Sequence, residues 1–131
     1  MDTTQLSNTA SFTIQGRLDG LNEYTKACRS NCYAGDNMKK KNERIVEYYI
    51  FEQLRGVKFN NKVSISYTWY EKNKRRDLDN IAFAKKFIQD ALVKRGVLEG
   101  DGWQHIAYFT DEFKVDKDNP RIEVVINEAI G

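Results

Sequence analysis

The sequence predicts an α/β (α+β) fold: a single small domain with a mixed β-sheet and two main helices. Three observations predict it. Strict apolar–polar alternation over 63–70 marks a strand with one buried face. Apolar residues at helical spacing mark 38–54 and 79–95. Alternation returns in two segments near the C-terminus. A chain of 131 residues fits one domain, 1–131, with a core that needs no staples. Residues 1–10 are polar and are expected to form a flexible N-terminus.

The elements follow in order. Ser11 to Gln15 reads as a short strand with Phe12 and Ile14 on one face. Gly16 to Gly20 is rich in turn residues, and Leu21 to Arg29 reads as a short helix. Ser30 to Asn37, with Gly35 and Asp36, reads as loop. Met38 to Leu54 reads as a helix that buries Ile45, Val46, Tyr49 and Ile50 and ends before Gly56. Its first turn then holds Lys39, Lys40 and Lys41, against the macrodipole and suited to an incoming phosphate. Val63, Ile65, Tyr67 and Trp69 form the buried row of the clearest strand. After the charged stretch Glu71 to Arg76, one long helix is expected over Asp79 to Arg95. Ile81, Ala84, Ile88, Ala91 and Leu92 fall on its apolar side. Ile106 to Val115 and Arg121 to Asn127 are expected to close the chain as a hairpin, turning at Asp118-Asn119-Pro120. Tyr70 and Trp103 are assigned to the core, with stacking on opened nucleic acid the alternative.

Composition narrows the function. No apolar run approaches the ~18 residues of a membrane span, and 1–10 lacks the apolar stretch of a secretory signal. A cytoplasmic protein without membrane contact is expected. The only cysteines, Cys28 and Cys32, are too few for a zinc cage and read as free thiols in a reducing compartment. One histidine, His105, excludes a two-His zinc motif. Net charge is only +2, but its distribution is uneven. Residues 1–98 carry 18 basic against 11 acidic side chains, and 99–131 carry 3 against 8. The basic residues bunch at Lys39, Lys40, Lys41 and Arg44 and at Lys72, Lys74, Arg75 and Arg76. Such clusters suit a polyanion, and they also occur as plain solvated surface.

The chemistry-bearing stretch is Arg75-Arg76-Asp77-Leu78-Asp79-Asn80. In extended chain, Asp77 and Asp79 point the same way, and two adjacent carboxylates repel unless a cation or proton sits between them. A hard cation such as Mg²⁺ takes one or two carboxylates, waters and a substrate phosphate. The competing reading makes Asp79 or Asn80 a cap of the following helix. Asp101, between Gly100 and Gly102, is a third candidate ligand or a simple turn residue. A helix of about 17 residues carries the chain ~25 Å from Asp77, so Asp101 rejoins the pair only if the chain doubles back or a second subunit helps. On an ideal helix Asp79, Lys86 and Asp90 share a stripe, where Lys86 either pairs with Asp90 or stabilises developing charge on a phosphodiester.

At Asp77-Leu78-Asp79-Asn80, Asp90-Ala91-Leu92, Gly96 and Asp101 the sequence resembles the RusA family of Holliday junction resolvases. The similar order runs over roughly 11–127, with its specific part in Asp77 to Asp101. The resemblance implies a RusA-like nuclease domain and a homodimer. It implies Mg²⁺-dependent nicking of four-way DNA junctions at paired sites, with Mn²⁺ a substitute. Asp77, Asp79 and Asp101 would be the catalytic, metal-holding carboxylates, with Lys86 assisting. The two basic clusters would hold DNA. A role in DNA recombination and repair, in a phage or prophage setting, goes with it. Two departures stand out: Phe83 occupies the place of a lysine common in the family, and Gly100 that of a second acid. They motivate an alternative, a branched-DNA-binding protein with little or no catalysis.

Overall fold

The computed structural model describes residues 8–129. The element order is β1 (Thr9–Gln15), α1 (Leu21–Ser30), α2 (Ala34–Gln53), β2 (Val63–Glu71), α3 (Leu78–Ala82), α4 (Lys85–Lys94), β3 (Ile106–Val115) and β4 (Arg121–Glu128). The four strands form one mixed sheet in the order β1-β4-β2-β3. This is the expected α+β architecture. The expected flexible N-terminus fails at Thr9 and Ala10, which belong to β1, and its residues 1–7 lie outside the described residues.

The alternating residues put the core on one side of the sheet. Phe12 and Ile14 lie opposite Val124 and Ile122, which lie opposite Tyr67 and Trp69 in turn. Val46, Ile50, Ile81, Ala84, Phe87, Ile88, Ala91 and Leu92 on the helices share this buried cluster. Burying such side chains stabilises by about 1.5–3 kcal/mol each, before entropy is counted.

Three further expectations fail, each for a physical reason. The last two strands are not a hairpin. β4 lies between β1 and β2, antiparallel to both, and β3 lies on the far side of β2, parallel to it. The connection Asp116–Pro120 therefore crosses the end of β2, where Asp116 N–H donates to Glu71 O at 2.8 Å. That crossing spans two strand spacings, about 9.5 Å, beyond a tight two-residue turn. The long helix over 79–95 is two helices. The N–H groups of Ala84, Lys86 and Phe87 donate three residues back, to Ile81, Phe83 and Ala84, which tightens the chain. Finally, Ser30 to Asn37 is mostly helix, because α2 starts at Ala34. The three lysines thus sit beyond the first turn, and the mismatch with the helix dipole largely disappears.

Candidate functional site

The chain leaves β2 at Glu71 and turns before α3, and this turn is held from several sides. Arg76 grips Glu71 with two bonds, Nε to Oε1 at 3.0 Å and a terminal nitrogen to Oε2 at 2.8 Å. It also donates to Leu18 O at 3.3 Å. Asn80 is buried, and its Oδ1 accepts the N–H of Asn22 at 2.8 Å. It thereby caps α1, whose N-cap residue Gly20 has no side chain. A Cβ on Gly20 would lie 2.5 Å from both Asn80 oxygens, so this close approach requires glycine.

Asp77 and Asp79 stand on this braced backbone, and both are exposed. Asp77 occupies the N-cap position of α3, yet its side chain makes no capping bond. Asp79 only accepts the N–H of its neighbour Asn80, at 2.9 Å. Neither carboxylate ion-pairs with another described residue. The capping role belongs instead to Asn80, toward α1. Asp77 borders a cleft of about 560 Å³, with Lys74, Leu78, Phe113 and Val115 also in its walls.

Asp101 lies elsewhere. Val63, the first residue of β2, donates to His105 O at 3.0 Å, so the Asp101 loop sits at the N-terminal end of β2. Asp77 follows its C-terminal end. With nine residues in β2, the two ends are about 25–30 Å apart. Asp101 borders its own shallow hollow, together with Gln89, Trp103 and Tyr108. Among the described residues, no three His, Cys, Asp or Glu side chains gather where a metal ion could sit. One chain thus supplies an uncommitted carboxylate pair at one end and a single acid at the other.

The remaining candidates divide into engaged and free. The break before α4 removes the ideal stripe joining Asp79 to Lys86. Lys86 lies 3.4 Å from Asp90, which is also 3.6 Å from Lys39. Lys41 pairs with Asp19 at 3.7 Å, and Arg76 is spent on Glu71. Lys40, Arg44, Lys72, Lys74 and Arg75 make no ion pair with a described residue, and all five are exposed. The two basic clusters meet around one segment, since Asp19 binds Lys41 while Leu18 O binds Arg76. Phe83 packs against Tyr24 and Phe87, with ring centroids 5.3 and 5.7 Å away, so its position belongs to the α1 contact.

Tyr70 and Trp103 are not core residues. The Arg121 guanidinium covers the half-buried Tyr70 ring at 3.7 Å. Trp103 is 92% exposed. Sequence reasoning passed over Lys85 and Asp111. Lys85 binds Asp111 and lies 4.2 Å from the Phe109 ring, and Trp69 Nε1 donates to Asp111 at 2.9 Å. These contacts fasten β3 to α4 and β2. Two exposed thiols, Cys28 and Cys32, are free, and no helix among the described residues is long and apolar enough to cross a membrane.

No family model matches the chain, and no curated protein matches its sequence at a significant level.

Proposed function

We propose that the chain is a Mg²⁺-dependent endonuclease acting on branched DNA, in the manner of a Holliday junction resolvase. The observation that carries the reading is the Asp77–Asp79 pair. It consists of two exposed carboxylates at the start of α3 on a braced backbone, neither capping the helix nor ion-paired with a described residue, beside cations that make no ion pair with a described residue. Neither acid is matched by a cation among the described residues, and a hard divalent cation takes one or two carboxylates together with waters and a phosphate oxygen. When bound, such a cation supplies an activated water and offsets charge on the phosphodiester. Lys72, Lys74 and Arg75 hold the backbone next to the pair, and Lys40 and Arg44 extend the contact. Such contacts carry no base preference, and binding through them weakens steeply with salt. Lys86 remains the partner of Asp90.

Within one chain the pair is half of a site. In this reading Asp101 of a second copy completes it, so the active species is a homodimer with two equivalent sites. Cutting two strands of a four-way junction needs that symmetry.

Phe83 favours a second reading, junction binding without cleavage, because its ring is packed on Tyr24 and Phe87 where a family-like lysine would reach the phosphate. One experiment separates them. A labelled four-way junction is incubated with the protein in Mg²⁺, in Mn²⁺ and in EDTA, beside Asp79→Asn. Paired symmetric nicks that need the metal and vanish in the variant are the expected result. Tight binding without nicks in either metal overturns the nuclease in favour of the binding protein.

A further inference from the structure

Helix α2 buries one face and leaves the opposite one bare. At about 100° per residue, Tyr33, Lys40, Arg44, Tyr48, Phe51 and Arg55 fall within about 40° of one line, opposite the buried Val46. The line takes in Tyr33, the N-cap residue, and Arg55, just past the last turn. All six side chains are exposed. Three of them are aromatic: Tyr33 is 72% exposed, Tyr48 56% and Phe51 49%. A solvated helix face carries charge alone, so bare rings aligned between cations call for a partner.

The cations are uncommitted too. Lys40, Arg44 and Arg55 make no ion pair with a described residue, and neither do Lys58 and Arg95 beside the end of the stripe. On α2 the flanking acids are Asp36, Glu47 and Glu52, and Glu52 accepts the Tyr48 hydroxyl at 2.9 Å. The stripe runs into a hollow of about 350 Å³ between the ends of α2 and α4, bordered by Phe51, Arg55, Lys58 and Arg95 over the buried Leu54 and Val97. The Arg55 guanidinium carbon lies 4.5 Å from the Phe51 ring centre, and that of Arg95 5.8 Å. Cations past a helix end often neutralise its last carbonyls. Here backbone N–H groups already take them: Leu54 donates to Ile50 O at 2.8 Å, Arg95 to Ala91 O at 2.9 Å and Val97 to Leu92 O at 2.9 Å. The guanidinium groups are left for an anion from outside.

Rings alternating with cations match single-stranded nucleic acid. Unpaired bases stack on the rings, guanidinium planes extend the stack, and cations hold the phosphates. A duplex offers base edges, which leave such rings unused. We propose that the exposed face of α2 is a track for single-stranded DNA, running from Tyr33 to the hollow. Bases stack on Tyr33, Tyr48 and Phe51, while Lys40, Arg44, Arg55 and Arg95 hold phosphates. From Tyr33 to Phe51 the helix rises about 27 Å. The track shares only Lys40 and Arg44 with the nuclease reading above. Single-strand binding rests on the stripe alone; the choice of DNA over RNA rests on that reading.

Fluorescence anisotropy of a labelled oligo(dT) of about 20 nucleotides tests the track, in EDTA so that no cutting intervenes. Tyr48→Ala and Phe51→Ala should each weaken binding about 10-fold, and Tyr48→Phe should bind as the parent does. Arg95→Ala should lower the slope of log affinity against log salt by about 0.7. All three positions are exposed, so the melting temperature should hold. No binding at ~0.1 mM protein overturns the track, and so does equal or tighter binding of a blunt duplex. Binding that falls with salt but ignores both ring substitutions is a plain polyanion contact and overturns it as well. Tighter binding of oligo(U) overturns the assignment to DNA. A dimer that dissociates with Phe51→Ala puts a second copy on this face and overturns the track. Strand binding that meets these expectations while no junction is ever nicked keeps the track and overturns the nuclease. Nicking without strand binding does the reverse.

Discussion

At the C-terminal end of β2, Asp77 and Asp79 stand on a backbone fixed by Arg76, Glu71, Asn80 and the close approach of Gly20. At the N-terminal end, Asp101 stands on a loop flanked by glycines, with Trp103 projecting into solvent. The first end is organised before any ligand arrives. The second leaves Trp103 92% exposed. In the proposed nuclease, the rigid end would orient the reacting phosphate and the projecting end of a second copy would complete the site. Preorganised acids cost little reorganisation when the substrate binds.

The largest expected effect lies at the rigid end. If the proposed nuclease is right, Asp77→Asn should lower junction nicking by on the order of 10³-fold, because it would remove a ligand of the metal that activates water. The melting temperature should hold, since the Asp77 side chain makes neither a capping bond nor an ion pair with a described residue. A nicking rate within a few-fold of the parent would remove Asp77 from the site.

Next in size is a paired substitution, the same change at both ends. Gly20→Ala drives a methyl to 2.5 Å from the Asn80 oxygens and should cost about 2–3 kcal/mol in denaturant unfolding. Gly102→Ala meets nothing within 4 Å and should stay within about 0.5 kcal/mol. Equal costs would contradict the contrast between the two ends.

The smallest effect concerns the crossing at the end of β2. The hydrogen bond from Arg121 holds the Asp116 carboxyl below the usual carboxylate range. A depressed value means the stabilisation is present above the unfolded value of 3.8 and is lost as pH falls through the folded one. Asp116→Asn should therefore be slightly less stable than the parent at neutral pH, with the gap closing in acid. A gap that widens in acid would contradict the assignment.

The sheet and its core were legible because their signal is local. Ile65, Tyr67 and Trp69 alternate, and so do Ile122, Val124 and Ile126, whatever strand they pair with. The insertion of β4 beside β1 was not, because strand order is decided by contacts more than a hundred residues apart, such as Thr9 with Asn127. The break between α3 and α4 was hidden because Ile81, Ala84 and Ile88 keep helical spacing through it. At the site, the spacing of Asp77 and Asp79 reads as an extended pair on one face, but α3 begins at Leu78 and takes in Asp79, so that shared face is not formed. The role of Asn80 was not legible, since its partner Asn22 lies 58 residues away. The Arg76–Glu71 pairing did leave a signal, opposite charges five residues apart across a turn. Asn42 and Glu43 left another, flanking the face of Val46 and Ile50 where they are buried. There Lys94 donates to Glu43 at 2.6 Å.

The proposed division of the site between two copies is tested most directly by subunit complementation. Asp79→Asn and Asp101→Asn should each abolish nicking of a four-way junction in Mg²⁺. Mixed under exchange conditions, they should regain it, because one of the two sites in a mixed dimer then holds Asp77, Asp79 and Asp101 unaltered. Two inactive variants that exchange subunits yet stay inactive, while the parent nicks, would contradict the account.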